Sequence, residues 1–359
     1  MLLIVGTGLT LILCLLTFIT LWRYQAWWVR GWDFPRLQLG LLAVVLLLAE
    51  IILLDFSRTW SWINVGLLVI CITYQAWWII PYTRIFPQEV KNAVNDNPNN
   101  SIAILASNVL TPNRNAAALV KLVEQYKPDI LAALETDAWW QSQLDVLRES
   151  YPYTLQCPLD NLYGMHVYSK LKLEDAKIQF LVEDDVPSMH ALVHLRSGQK
   201  VQVHFLHPTP PSPTENDEST ERDAELLLVA KSVAKTQIPV IVAGDLNDVA
   251  WSTTTRLFRK ISGLLDPRVG RGMFNSFHAK YPFIRWPLDH LFHSRHFLLL
   301  EIKRLSSIDS DHFPMLIRLA YVPEIGKDQE GIQADGDERE FAAEKVDEVE
   351  SDNVHTPRG

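Results

Sequence analysis

Residues 244–247, Gly-Asp-Leu-Asn, follow the apolar run Ile238-Pro-Val-Ile-Val-Ala243 and so stand where a buried strand delivers its polar end to an edge. Side chains two apart on an extended strand project to the same side, so Asp245 and Asn247 can address one ligand. Downstream, Ser310-Asp311-His312-Phe313-Pro314 supplies an acid and an imidazole, and Pro287-Leu288-Asp289-His290-Leu291-Phe292 supplies another acid. This donor set suits phosphate ester chemistry. The negative ester repels a nucleophile, and a hard cation held by carboxylate and amide oxygens neutralises that charge.

Further polar residues share the same kind of position. Asn108 follows Ile-Ala-Ile-Leu-Ala-Ser, Glu135 follows Ile-Leu-Ala-Ala-Leu, and His207 follows Val-Gln-Val-His-Phe-Leu. Any one of them alone reads as a cap or turn residue. Taken jointly with Asp245, they are strand ends able to converge at one rim. The elements that must position them alternate. Strands are expected at 102–107, 130–134, 164–168, 190–195, 201–206, 240–243, 288–292 and 315–319, with helices at 115–126 and 221–235. Leu119, Leu122, Val123 and Tyr126 lie on one face of the first helix, and Pro128-Asp129 ends it. Strands outnumber helices and several run consecutively, which implies an α/β fold of two stacked sheets flanked by helices rather than one doubly wound sheet.

In order along the chain, Ser107-Asn108-Val109, Leu134-Glu135, Gly244-Asp245-Leu246-Asn247, Leu288-Asp289-His290-Leu291-Phe292 and Ser310-Asp311-His312-Phe313-Pro314 resemble the motifs of the endonuclease/exonuclease/phosphatase (DNase-I-like) superfamily. The resemblance covers about residues 100–320 and suggests a membrane-anchored bacterial-type member. It implies a four-layer α/β sandwich and a divalent metal, commonly Mg²⁺, with Mn²⁺ as a substitute. By that resemblance Glu135 and Asn108 ligate the metal, with Asp311 as a further acid, and Asp245 orients or deprotonates the attacking water. Asn247 holds Asp245 or a phosphate oxygen. His312 contacts the scissile phosphate, Asp289 orients its ring and keeps it protonated, and His207 contacts phosphate or protonates the leaving oxygen.

Three more residues are substrate-side candidates. His166 follows Tyr163-Gly164-Met165 in a stretch resembling a family strand that borders the site, and His278 and Arg285 lie in a segment able to reach the substrate. Arg285 has the geometry to clamp a phosphate bidentately, or to serve as a solvated loop charge. His290, His293 and His296 are read as packing or solvent-facing rather than as a metal cluster.

Composition divides the chain into a membrane region (1–85), a linker (86–100), a catalytic domain (101–320) and an acidic tail (321–359). Residues 2–22, 37–54 and 63–80 are each apolar over about the length needed to cross a hydrocarbon core, roughly 20 residues. No Lys or Arg precedes Arg23, which argues against a cleaved signal peptide. Glu50 inside the second run is read as structural. Tyr24-Gln-Ala-Trp-Trp28 recurs as Tyr74-Gln-Ala-Trp-Trp78, and amphipathic rings of this kind favour the headgroup level. Arg23, Arg30 and Arg36 in the first loop outnumber Arg58 in the second, which places the catalytic domain in the cytoplasm of a bacterial inner or plasma membrane; an exported domain is the alternative.

Residues 321–359 carry twelve acidic against four basic side chains, nearly the whole net charge of −9, and read as a disordered solvated extension. The remainder is close to neutral, with no basic stripe to advertise nucleic acid. The sequence thus points to a multi-pass membrane protein hydrolysing a phosphate ester, lipid-linked in one version. A DNA or RNA nuclease and a non-catalytic membrane scaffold are the alternatives, and no obligate protein partner is implied. Cys14 and Cys71 lie in apolar runs and leave Cys157 alone, so neither a disulfide framework nor a Cys-based zinc site is available.

Overall fold

The structure, a computed structural model, describes the backbone of residues 1–355 and the side chains of residues 1–347. Its first helices are α1 (Leu2–Phe18), a short α2 (Trp27–Arg30), α3 (Arg36–Leu53) and α4 (Thr59–Ile79). Three helical segments, Leu2–Leu21, Arg36–Leu53 and Thr59–Tyr82, are long and apolar enough to cross a membrane. They pack through Leu13, Leu39, Ala43, Leu68 and Cys71. Glu50 is buried within this bundle, its Oε1 accepting from Thr10 Oγ1 at 3.1 Å and from Asn64 Nδ2 at 3.2 Å, which ties α1, α3 and α4 together as structural glue.

The rest of the chain runs β1 (Ser101–Asn108), α5 (Ala116–Tyr126), β2 (Ile130–Leu134), α6 (Ala138–Leu144), β3 (Tyr153–Cys157), β4 (Met165–Ser169), β5 (Leu173–Gln179), β6 (Ser188–His194) and β7 (Lys200–Leu206). There follow α7 (Thr220–Lys235), β8 (Val240–Asp245), α8 (Thr253–Ser262), β9 (Asp289–His293), β10 (Phe297–Arg304), β11 (Met315–Tyr321), α9 (Pro323–Gly326) and α10 (Gly336–His355). One sheet has the order β10-β11-β1-β2-β4-β3 and the other β5-β6-β7-β8-β9. Alternation along each strand builds the layers. Ile102, Ile104, Ile130 and Ala132 face Val201, Val203, Phe205, Ile241 and Ala243 across the central core. The opposite faces of the same strands bury Leu105 and Leu131 under α5 and α6, and Val240 and Val242 under α7 and α8. The result is the expected sandwich of two mixed sheets between helical layers.

The strands β3, β5 and β10 and the helices α6 and α8 escaped the sequence pattern. The β3 and β5 strands lie at sheet edges; β5 is largely exposed and rich in charge, and such strands carry no continuous apolar signal. Asn115 caps α5 through its side chain, which accepts from Ala118 N, and the helix stops at Lys127 in the left-handed region, just before Pro128.

The linker 86–100 is held against the domain: Val90 is fully buried, Ala93 N and Leu299 N donate to Leu299 O and Lys91 O, and Glu89 pairs with Arg259 at 2.6 Å. One expectation about the flanking segments needs correction. The acidic tail is not a solvated extension over its described part. α10 lays Phe341, Ala342 and Val346 against Leu227 and Leu257, and Lys345 Nζ lies 3.2 Å from Asp223 Oδ2. A few apolar residues on one helical face suffice to dock it, although the average composition of the tail is that of a disordered segment.

Candidate active site

Two parallel pairings explain why the polar strand ends converge. β1 runs parallel to β2 with Asn108 opposite Leu134, so Asn108 and Glu135 emerge side by side. β7 runs parallel to β8 with Leu206 opposite Gly244, so His207 emerges beside Asp245. Packing the two sheets face to face brings both pairs to one rim. The antiparallel β9 adds Asp289 directly opposite Asp245.

At this rim Asn108 Nδ2 donates to Glu135 Oε1 at 2.7 Å and to Asp245 Oδ2 at 3.1 Å, bridging the two sheets. His312 is held by Asp289, Nδ1 to Oδ2 at 2.7 Å, and its Nε2 lies 3.4 Å from Asp245 Oδ2. His207 Nε2 lies 3.9 Å from that same oxygen. Asp245, Asp289 and His312 bring one donor atom each within 4.8 Å, a grouping compact enough to hold a cation. The imidazole nitrogens are already engaged with the two carboxylates, so the trio is better satisfied as an ion network than as a ligand set.

The backbone is unusual at the same places. Glu135 has φ +60° and Asn247 φ +50°, in the left-handed region; Asn adopts it readily, whereas for Glu it stores strain of order 1–3 kcal/mol. Glu135 is kept there by Thr111 Oγ1, which donates to its carbonyl at 2.8 Å. Gly244 has φ +144°, and a Cβ on it would lie 2.0 Å from Leu206 O, so only glycine lets β8 close on β7 immediately before Asp245.

Residues 105–312 match the sequence profile of the endonuclease/exonuclease/phosphatase family. The chain belongs to that family. Its members are phosphoric ester hydrolases, typically dependent on a divalent metal. No curated protein matches the sequence. Among solved structures, D. rerio TDP2 complexed with single strand DNA product is 18% identical, with a TM-score of 0.50 over 61% of this chain and 98% of that one. The endonuclease/exonuclease/phosphatase from Bacteroides vulgatus is 15% identical, with a TM-score of 0.50 over 62% of this chain and 99% of that one. The Beutenbergia cavernae protein of that description is also 15% identical, with a TM-score of 0.50 over 62% of this chain and 72% of that one. At these identities the likeness concerns the fold alone.

Burial sets the charge state of this family site. Desolvation raises Glu135 to about 7, opposed by its bond from Asn108. His312 loses solvation too, which by itself lowers its pKa, but Asp245 and Asp289 outweigh that and hold it up to about 10. Asp245 is desolvated as well and still ends below the usual carboxylate range, because His312 and His207 lie beside it. Burial pushes His207 down to about 4, so it is neutral at pH 7. The rim therefore presents one imidazolium, one neutral imidazole and a set of acids.

The remaining sequence candidates separate. Asp311 lies at the rim near Glu135 and His312, its Oδ1 3.3 Å from Ser310 Oγ. His278 borders the same mouth, with Asp311 and His312 as charged neighbours. Asn247 holds Asp245 through its backbone N–H at 3.0 Å, while its side chain donates to Pro208 O at 2.9 Å; the amide braces a loop instead of facing a phosphate. His166 is fully buried on β4, its ring nitrogens bonded to Thr136 and Gln141. Arg285 donates to His278 O at 3.3 Å and Ala279 O at 2.9 Å and lies over Phe313, so its guanidinium closes its own loop. His290 and His293 are buried, His290 between Arg268 and Asp248 O, as packing residues.

Supporting residues went unseen in the sequence. Ser276 Oγ accepts from Asp289 N at 3.0 Å, and Ser310 Oγ accepts from His312 N at 3.0 Å while donating to Asn108 O at 2.9 Å. Arg222, buried on α7 beside Asp223 and Asp248, donates to Asn247 O at 2.9 Å and fixes the loop after Asp245. Ser310 was signalled by its place next to Asp311-His312. Ser276 and Arg222 had no local signal.

Proposed function

We propose that this protein is a membrane-anchored, metal-dependent hydrolase of phosphate esters. The observation that carries the reading is His312, buried and charged between Asp289 and Asp245 at the rim that also holds Glu135 and Asn108. Glu135 Oε2 is buried with no hydrogen-bond partner among the described residues, and burial pushes its carboxyl up, which fits a cation ligand. Glu135, with Asn108 and Asp311, would hold Mg²⁺, or Mn²⁺ in its place. A bound metal would neutralise the negative charge of the ester phosphate.

The chain's own groups then divide the work. Asp245, ionised and fixed by the Asn247 amide, accepts a proton from the attacking water. His312 donates through Nε2 to a phosphate oxygen as charge develops, and Asp289 keeps its ring oriented and protonated. His207, neutral, donates a hydrogen bond to phosphate or to the departing oxygen.

Substrate class follows from how the domain meets the helices. Trp27 N donates to Asp217 O, Trp251 Nε1 to Asp33 O, and Gln38 Nε2 to Phe283 O, so loops of the domain rest on α2, the turn after it and the start of α3. On the last of these loops Phe283 is 87% exposed, Tyr281 55% and Ile284 49%, apolar residues offered at the level where α3 begins. That favours a lipid-linked phosphate ester met at the interface. The nuclease reading is supported by the family and by TDP2, solved with a DNA product, but the near-neutral catalytic domain lacks a basic track.

The test is a panel of soluble phosphomonoesters and diesters, lipid phosphates in micelles, DNA and RNA, presented to the purified full chain with Mg²⁺. Lipid phosphate should turn over and excess chelator should stop it. Turnover confined to DNA or RNA establishes the nuclease, full activity in chelator removes the metal, and no turnover on any substrate leaves a scaffold.

A further inference from the structure

Where the third apolar helical segment meets the catalytic domain, a cavity of about 550 Å³ opens. Trp77, Trp78, Ile80 and Phe86 form its apolar side, and Arg256 and Arg259 of α8, with Gln88 and Glu89, its polar side. None of the catalytic-rim residues lines it.

The two arginines are in opposite situations. Arg259 Nη2 reaches both oxygens of Glu89 at 2.6 Å, so its charge is met. Arg256 is partly buried with its guanidinium 4.9 Å from the centre of the Trp78 ring, and no described residue accepts a hydrogen bond from its side chain or forms an ion pair with it. Nearby acids are committed elsewhere, Glu89 to Arg259 and Glu338 to Lys260. Trp78 is shared with a second guanidinium, Arg36 at 4.6 Å, and that one is neutralised by Asp33. An Arg drawn out of water without a counter-charge is costly, and burial accordingly lowers its pKa. With Glu89 taken up by Arg259, what Arg256 lacks is an anion, and what the other wall lacks is an apolar body.

We propose that this cavity binds an anionic phospholipid, its headgroup phosphate on Arg256 and its glycerol and first acyl carbons against Trp77, Ile80 and Phe86. A free phosphate would answer Arg256 but leave the aromatic wall wet. Position favours the lipid as well: Trp77 and Trp78 belong to the repeated aromatic segment at the domain-facing end of α4, where rings of this type mark the headgroup level. The lipid would bridge α4 to α8, and Tyr82, which also lines the cavity, donates to Ala250 O in the loop that leads from Asp245 to α8. The site is separate from catalysis and does not depend on which ester is hydrolysed.

The test uses the full chain, purified in detergent and stripped of lipid, titrated by native mass spectrometry with phosphatidylglycerol and phosphatidylcholine. Phosphatidylglycerol should bind about tenfold tighter, the worth of one charge-assisted pair. Arg256→Gln should erase that preference, and Arg256→Lys, which keeps the charge, should retain it. Equal binding of the two lipids by the unmodified chain, an unchanged preference in Arg256→Gln, or its loss in Arg256→Lys overturns the proposal. So does complete displacement of phosphatidylglycerol by millimolar inorganic phosphate, which would make this a free-anion site.

Discussion

Asp245 and Asp289 stand directly opposite one another in the antiparallel β8–β9 ladder, and His312 joins them into one charge unit, 2.7 Å from Asp289 and 3.4 Å from Asp245. Two buried carboxylates this close repel, and like charges opposed across a sheet destabilise it. The imidazolium between them offsets that repulsion: it holds Asp245 below the usual carboxylate range, while burial, which His312 only partly opposes, keeps Asp289 above it. Structure and chemistry are therefore coupled here: the group that stabilises the strand pair is also the one able to donate to a phosphate.

Replacing Asp289 by Asn should preserve the fold and lower turnover by about 10²-fold, within the range of general acid–base catalysis. The alkaline limb of the rate profile, set by His312 near pH 10, should move to lower pH because the cation has lost a counter-charge. His312→Ala should be nearly non-additive with it. If the double variant instead shows the full product of two large single losses, the side chains act independently and the pairing is wrong.

Glu135 links pH to stability and to metal. Its carboxyl, raised from 4.5 to about 7 in the metal-free fold, keeps a proton that the unfolded chain would release. The metal-free protein should therefore lose stability as pH rises from 4.5 through 7, and Mg²⁺ should restore it above 7. Thermal unfolding of the full chain across that window, with and without Mg²⁺, checks this. In Glu135→Gln both the pH slope and the Mg²⁺ effect should be reduced.

Gly244→Ala forces a methyl group to within 2.0 Å of Leu206 O at a φ of +144°. A loss of about 2–4 kcal/mol is expected, since neither the β7 backbone nor that φ tolerates a side chain. Denaturant unfolding of the variant measures it, and a midpoint equal to that of the parent would refute the close-approach argument.

Orientation is open to a direct assay. Arg23, Arg30 and Arg36 on the domain-facing loop predict a cytoplasmic catalytic domain. A fluorescent fusion after the catalytic domain should be bright and an alkaline phosphatase fusion inactive. The reverse pair of signals would put the domain on the exported side.

By itself the sequence determined the strand ends, the apolar spans and the α/β class, because each is written in local periodicity: Ile130–Leu134 or Val240–Asp245 must be buried wherever it lies. Polar residues terminating apolar strands also put Asn108, Glu135, His207 and Asp245 at one rim, and the resemblance of the later motifs to the family added Asp289, Asp311 and His312. Only the tertiary structure decided which partner each one takes. Asn247 acts through its backbone, His166 turns inward to Thr136, and Arg285 donates to two carbonyls of its own loop, because hydrogen-bond partners from other segments compete for every buried polar atom. Ser276, Arg222 and the described part of α10 were illegible for the same reason: Asp289 N, Asn247 O and the face of α7 that need them lie 13, 25 and more than 100 residues away in sequence.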